Sequence, residues 1–269
     1  MYEAMMIAAT GLQNQQRRLD TIAHNVANVN TVAFRNSRLD FKDALYTAGI
    51  VPARPRTPEG NQQKGHGLMV AGITRDFATG SFQTTDRQLD LAIEGEGFFA
   101  LEGPDGNTIY TRNGSFYLST EDGGIYIVSS DGYYVQDDGG ARIRLPDYTN
   151  TIKIYEDGAI LFGTFEDETE EEIEEALEEG PTVTLGIYTF RNPMGLESIG
   201  DGYYSETVAS GDRLPAAEAS IRQGALEMSN VNLAEEMTRL IRTQRAFTLA
   251  SRALTTADEM EGIANNMRR

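Results

Sequence analysis

Apolar positions recur every seven residues at both ends of the chain. Met5, Leu12, Leu19 and Val26 form one such track, with Ala8, Gln15 and Ile22 three positions further on and Ala9, Gln16 and Ala23 four. A narrow stripe of this kind predicts an amphipathic helix from about residue 3 to about 27. Asn28, Asn30 and Thr31 then end it, because Asn and Thr side chains favour turns. Leu233, Leu240, Phe247 and Leu254 repeat the seven-residue spacing near the other end, with Ala250, Ala257 and Ala264 on the offset track. They predict a second helix from about 233 to about 266. Asn232 followed by Glu235 reads as an N-cap with a capping-box acid. Glu235 and Glu236 in the first turn, and Arg268 and Arg269 at the far end, suit the helix dipole.

Between the helices the pattern changes to short apolar or aromatic runs separated by turn residues. Asp-Gly occurs at 105, 122, 131, 138, 157 and 201, and this dipeptide supplies the positive φ that tight hairpins need. The runs between them, such as Phe98–Leu101, Thr108–Arg112, Gly124–Val128, Ala159–Phe162, Thr182–Phe190 and Tyr203–Thr207, predict antiparallel strands. All eight prolines fall in this middle section, which leaves both ends free to be helical. The expected fold class is therefore α+β: terminal heptad helices packed together, and an antiparallel β-rich middle domain. The expected boundaries are 1–45 with 221–269 for the helical assembly domain, 46–80 for an irregular or extended connector, and 81–220 for the β domain. A two-track heptad stripe is too narrow for a core helix and wants another helix, its own partner or a neighbouring subunit's. Met5, Leu12, Leu19, Ile22, Val26, Leu233, Leu240, Phe247, Ala250, Leu254 and Ala257 are the expected packing positions.

Composition narrows the function classes. The 269 residues carry a formal charge of −18, with no Cys and two His. Residues 1–45 and 221–269 are each net +1, whereas 46–220 is net −20, with ten acids in the run Glu166–Glu179. A chain so acidic does not bind nucleic acid or anionic lipid by its charge. Without Cys there is no thiol catalysis, disulfide or thiolate metal site. No apolar run reaches the ~20 residues of a membrane span, and the N-terminus lacks the basic and apolar regions of a cleaved signal peptide.

Each candidate for chemistry has a plainer reading. Gly95-Glu96-Gly97-Phe98-Phe99-Ala100 fits a loose dinucleotide pattern, but a turn at Pro104-Asp105-Gly106 follows instead of a phosphate-binding helix. A hairpin with close backbone packing is the expectation. Glu94 and Glu96 share a strand face, and a β-rich cell-wall hydrolase is the enzyme alternative they raise. The run 166–179 lacks the order of a calcium loop and reads as a solvated excursion. His24 is expected to make a polar interhelical contact and His66 to lie in an exposed loop. Asn113-Gly114-Ser115 is first of all a turn. The expectation is no catalytic residue, no cofactor and no metal.

The terminal motifs are specific. Residues 23–35, Ala-His-Asn-Val-Ala-Asn-Val-Asn-Thr-Val-Ala-Phe-Arg, resemble the N-terminal signature of the bacterial flagellar rod and hook protein family, through Asn25, Asn28, Thr31 and Phe34. Residues 229–260 resemble its C-terminal signature, through Ser229, Asn230, Val231, Glu235, Gln244 and Arg245. Gly97-Phe98-Phe99 and Tyr110-Thr-Arg-Asn-Gly-Ser-Phe116 look like motifs of its β domain, and Asn192–Gly200 most resembles the distal-rod branch. The sequence departs from the pattern at His24, usually Asn, at Ala33, usually Gly, and at Phe247, usually Tyr. The resemblance implies a rod subunit exported without a cleaved signal peptide by the flagellar type III apparatus. It implies a homo-oligomeric hollow helical tube outside the cytoplasmic membrane, torque transmission from motor to hook, and a lumen for later export substrates. Proximal rod and hook proteins are the implied axial partners, contact with surrounding basal-body rings is left open, and a proximal-rod or hook-type paralogue is the alternative within the family. On this reading the acidic middle becomes the outer face of the tube and the near-neutral ends its inner layer.

Overall fold

The computed structural model describes residues 2–43, 47–48, 63–64, 68–121, 123–146, 151–163, 183–216 and 218–267. The acidic run 166–179, His66, Arg268, Arg269 and most of the expected connector lie outside the described residues. The chain divides into two compact units: residues 1–28, 36–76 and 231–269 in one, 29–35 and 77–230 in the other.

In the first unit, helix α1 runs Tyr2–Ala27 and helix α2 runs Leu233–Asn266, as the heptads predict. The Asn232 side chain caps α2, accepting from the backbone N–H of Ala234 at 3.1 Å and of Glu235 at 3.3 Å. The Glu235 carboxylate turns to Arg239 one helical turn on. The two helices pack on each other, and α1 also packs on a two-stranded antiparallel ribbon of Ser37–Asp43 and Leu68–Arg75. The ribbon corrects the connector expectation: the alternating pattern from Leu68 to Arg75 is a strand, half-buried at every second position. A bulge between Asp40 and Phe41 shifts its register.

The second unit is the β body. Its largest sheet has ten strands among the described residues, centred on Phe98–Glu102, which pairs with Thr108–Thr111, Tyr134–Val135 and Ile187–Phe190. The run Thr182–Phe190 is broken at Leu185–Gly186, where a Cβ on Gly186 would lie 2.6 Å from the Asp137 carbonyl oxygen. Smaller ladders join Leu91–Glu94 to Ser220–Gln223, and Phe82–Thr84 to Ala225–Glu227. Five of the six Asp-Gly glycines (106, 123, 132, 158 and 202) have positive φ; at the sixth, Gly140 takes that role instead of Gly139. The core contains Leu91, Ile93, Phe99, Leu101, Phe116 and Ile127, and Phe99 meets Phe116 edge to face at 5.2 Å.

Two expectations change here. Gly95–Gly97 is not the turn of a hairpin: the strand before it pairs with Ser220–Gln223, the strand after it belongs to the large sheet, and the turn carries the chain between ladders. The close packing is real, because a Cβ on Gly97 would lie 2.9 Å from an Ile187 methyl. Residues 29–35 and 221–230 belong to the β body, not with the helices, because Ser220–Gln223 and Ala225–Glu227 are strands of its ladders.

Candidate functional site

The helices bury their partners in an unexpected order. Five described helix residues are buried, and four of them are polar: Asn14, Asn25, Glu236 and Thr243, with Ile22 the exception. The heptad positions Met5, Leu12, Leu19, Val26, Leu240, Phe247, Ala250, Leu254 and Ala257 are half-buried beside them. Leu233 does not join them; it lies on the same face but is 44% exposed, at the first position of α2. Each of these four polar side chains makes at least one hydrogen bond. The Asn14 amide donates to the Leu68 carbonyl at 2.5 Å, and the Thr243 hydroxyl to the Arg239 carbonyl at 2.8 Å.

Asn25 is the hub of this unit. Its amide nitrogen donates to the Asn36 side-chain oxygen at 2.7 Å, the Ser37 carbonyl at 2.8 Å and the Glu236 carboxylate at 3.3 Å. Its amide oxygen accepts from the Ser37 N–H at 3.0 Å. The other Glu236 oxygen accepts from Arg239 at 2.7 Å. The Asp76 N–H donates to the Asn36 carbonyl at 2.9 Å. One asparagine thus ties the end of α1, the start of the ribbon and the first turn of α2.

The β body has its own hub, Glu227, with a fully buried carboxylate. Arg35 donates to both of its oxygens at 2.8 Å, Arg112 to one at 3.2 Å, and the Gly80 N–H to the other at 2.8 Å. The Glu227 carbonyl accepts from the Ala33 N–H at 2.7 Å. Arg35 also donates to the Ala78 carbonyl at 3.0 Å, and Arg112 to the Gly95 carbonyl at 2.6 Å. Burial pushes the Arg112 pKa down, and the Glu227 charge opposes that shift. Two guanidiniums on one carboxylate form a charge-assisted network whose members depend on each other. Gly80 is required there, since a Cβ would lie 2.0 Å from the Met228 carbonyl oxygen. Ala33 holds φ of 56° while buried, so the left-handed turn that usually takes Gly is kept by Ala.

Phe34 and Asn28 shape the turn between the hubs' ligands. The Phe34 N–H donates to the Thr31 carbonyl at 3.4 Å, and the Asn28 amide to the His24 carbonyl at 2.9 Å. Ser229 and Val231 are buried, and the Asn230 amide donates to the Ala78 carbonyl at 3.0 Å. Sequence reasoning passed over Glu227 and Asn36. The signal for Glu227 was its position two residues after Ala225 on one inward strand face.

The far side of α2 is different again. Met237, Ile241, Leu249, Met260 and Ile263 lie on the side of α2 away from the buried positions, spread over about 140° at 100° per residue, and Leu249 is 66% exposed. Gln244 and Arg245 flank Ile241, Thr248 and Leu249 in a shallow groove of about 450 Å³. Glu94 and Glu96 are exposed, and Glu94 faces Arg222 at 3.5 Å. No helix among the described residues is long and apolar enough to cross a membrane.

Paired terminal helices in one unit and a β body in the other, with motif residues at the hubs, define the class of flagellar axial structural proteins. Three family models match: flagella basal body rod protein over residues 5–35, the flagellar hook protein FlgE/F/G D1 domain over 92–162, and the flagellar basal body rod FlgEFG protein C-terminal over 222–267. The flagellar basal-body rod protein FlgG of Borreliella burgdorferi is 40% identical, and that of Bacillus subtilis 36%, each across the whole of both chains. The flagellar hook-basal body complex protein FlhP of Bacillus subtilis is 29% identical, again over both chains in full. The chain belongs to the FlgG family of flagellar basal-body rod proteins, and it is a structural component of the rod.

Proposed function

We propose that copies of this chain stack through their terminal helices into the hollow tube of the distal rod, outside the cytoplasmic membrane. The tube transmits torque from motor to hook and leaves a lumen for later export substrates. Type III export, proximal rod and hook neighbours, and an acidic outer layer over a near-neutral inner one belong to the same reading. The role is structural, with no catalytic step assigned to Glu94 or Glu96.

One observation carries this reading. After α1 and α2 have packed on each other, α2 still presents Met237, Ile241, Leu249, Met260 and Ile263 to solvent. An apolar stripe on a helix that has already used its other face is what a subunit holds for its neighbours. A head-to-tail interface that does not close into a ring makes a helical filament. The expected assembly face therefore moves: Leu240 and Phe247 serve the α1–α2 pairing within one chain, and the opposite stripe serves assembly.

The test is Ile241→Asp combined with Leu249→Asp. The purified variant keeps the wild-type circular dichroism and melting curve, and cells carrying it build no distal rod and do not swim. Normal rods assembled from this variant would sink the assignment.

A further inference from the structure

The chain passes between the two units four times, after residues 28, 35, 76 and 230. On the β side these passages belong to three segments, 29–35, 77–81 and 225–230, and all three meet at Glu227. Its carboxylate holds Arg35 of the first and the Gly80 N–H of the second, while its own backbone belongs to the third. Further bonds run between the same segments: Ala33 N–H to the Glu227 carbonyl, Asn230 N–H to the Phe34 carbonyl, Asn230 amide to the Ala78 carbonyl, and Met228 N–H to the Ser81 carbonyl. Arg112 anchors the carboxylate to the body by reaching the Gly95 carbonyl.

On the helical side, Asn25 and Asn36 tie the other ends of these passages. Along the chain, the tied residues come close together in sequence. Arg35 and Asn36 are neighbours bonded to different hubs, so one peptide unit of about 3.8 Å separates those ties. Asp76 and Ala78 are two residues apart.

We propose that Glu227 is a clamp: it makes the three segments entering the β body move as one with it, so that twisting load does not pull them apart. Glu227, Arg35 and Arg112 are positioning residues in this role. The load-transfer part rests on the rod reading above; the clamping part does not.

The first arm uses purified full-length protein. Arg35→Lys keeps the charge but cannot span both Glu227 oxygens and the Ala78 carbonyl, because an ammonium lacks the planar fork. Hydrogen exchange at residues 33–35 and 77–80 rises about tenfold or more, while Leu101, Ile127 and Val135 in the large sheet keep wild-type protection and the melting temperature hardly moves. A second variant, Arg35→Met with Glu227→Leu and Arg112→Met, replaces the buried charges by apolar groups of similar size, a change that often preserves stability. It gives the same selective rise at Gly80. Wild-type protection at 77–80 in Arg35→Lys overturns the clamp, whether or not the triple variant folds.

The second arm compares swimming of Arg35→Lys cells in dilute and in viscous medium. Speed is retained at low load and drops disproportionately at high load. Equal loss at both loads, or none, removes the torque role and leaves the clamp standing. Rods that form without this chain would refute the rod reading and leave the exchange result untouched.

Discussion

The two units are built inside out with respect to each other. The β body buries Phe99, Leu101, Phe116 and Ile127 and, among the described residues, keeps its charges outside apart from the Glu227 cluster and Asp90. The helical unit buries Asn14, Asn25, Glu236 and Thr243 and leaves Met237, Ile241 and Leu249 in water. A body of the first kind carries its own stability, because apolar area removed from water is the main favourable term in folding. A unit of the second kind gains geometric definition from its hydrogen bonds, and reserves much of its apolar area for something else. The contrast separates the part that folds from the part that assembles.

That contrast can be broken at three strengths. The largest effect falls in the β core. Phe99→Ala removes a ring with no exposure and its edge-to-face partner, and costs about 3–5 kcal/mol. Urea melts of the purified protein read it; a cost under about 1 kcal/mol would mean that this core does not stabilise the body. The middle effect falls at the helical hub. Asn25→Ala leaves the Ser37 N–H and the buried Glu236 oxygen without their partner, and costs about 1–3 kcal/mol. It loosens residues 36–37 and the first turn of α2 in hydrogen exchange and leaves the β body's protection unchanged. If the β body loosened equally, the units would not be energetically separate.

The smallest effect sharpens the surface side. Arg142 holds Glu102 through two hydrogen bonds, the longer at 2.9 Å, and pushes its carboxyl pKa below the ordinary value. A lowered carboxylate pKa contributes stability that is complete above the unfolded value and is lost as pH falls through the folded one. Glu102→Gln therefore lowers the melting temperature slightly near neutral pH, and the difference closes in acid. A difference that persisted or grew below pH 3, taken as roughly under the usual carboxylate range, would contradict the pairing.

Much of this fold is legible in the sequence, for local reasons. The helices announce themselves by heptads and an Asn cap, and the turns by Asp-Gly, because these signals act within a few residues. The inner face of the helices is not legible in the same way. Hydrophobic periodicity marks Leu240 and Phe247, but the most buried positions are Glu236 and Thr243, whose burial depends on partners supplied by α1 and by the helix backbone. The Glu227 hub is harder still. Arg35 lies 192 residues from Glu227 and Arg112 lies 115, and only the folded β body brings them together. Ala33 shows the reverse case. Its side chain argues against a left-handed turn, yet the bond from its N–H to the Glu227 carbonyl accompanies φ of 56°.

The ladders that join Phe82–Thr84 to Ala225–Glu227 and Leu91–Glu94 to Ser220–Gln223 also set an order in time. Hairpins between sequence neighbours close early, since short loops lose little entropy. The first of these ladders spans just over half the chain and the second just under half, so the first strands of the β body wait for nearly the last to be synthesised. Until residue 227 is available, Arg35 and Arg112 have no carboxylate to share, and the body remains an unfinished intermediate that the final segment completes.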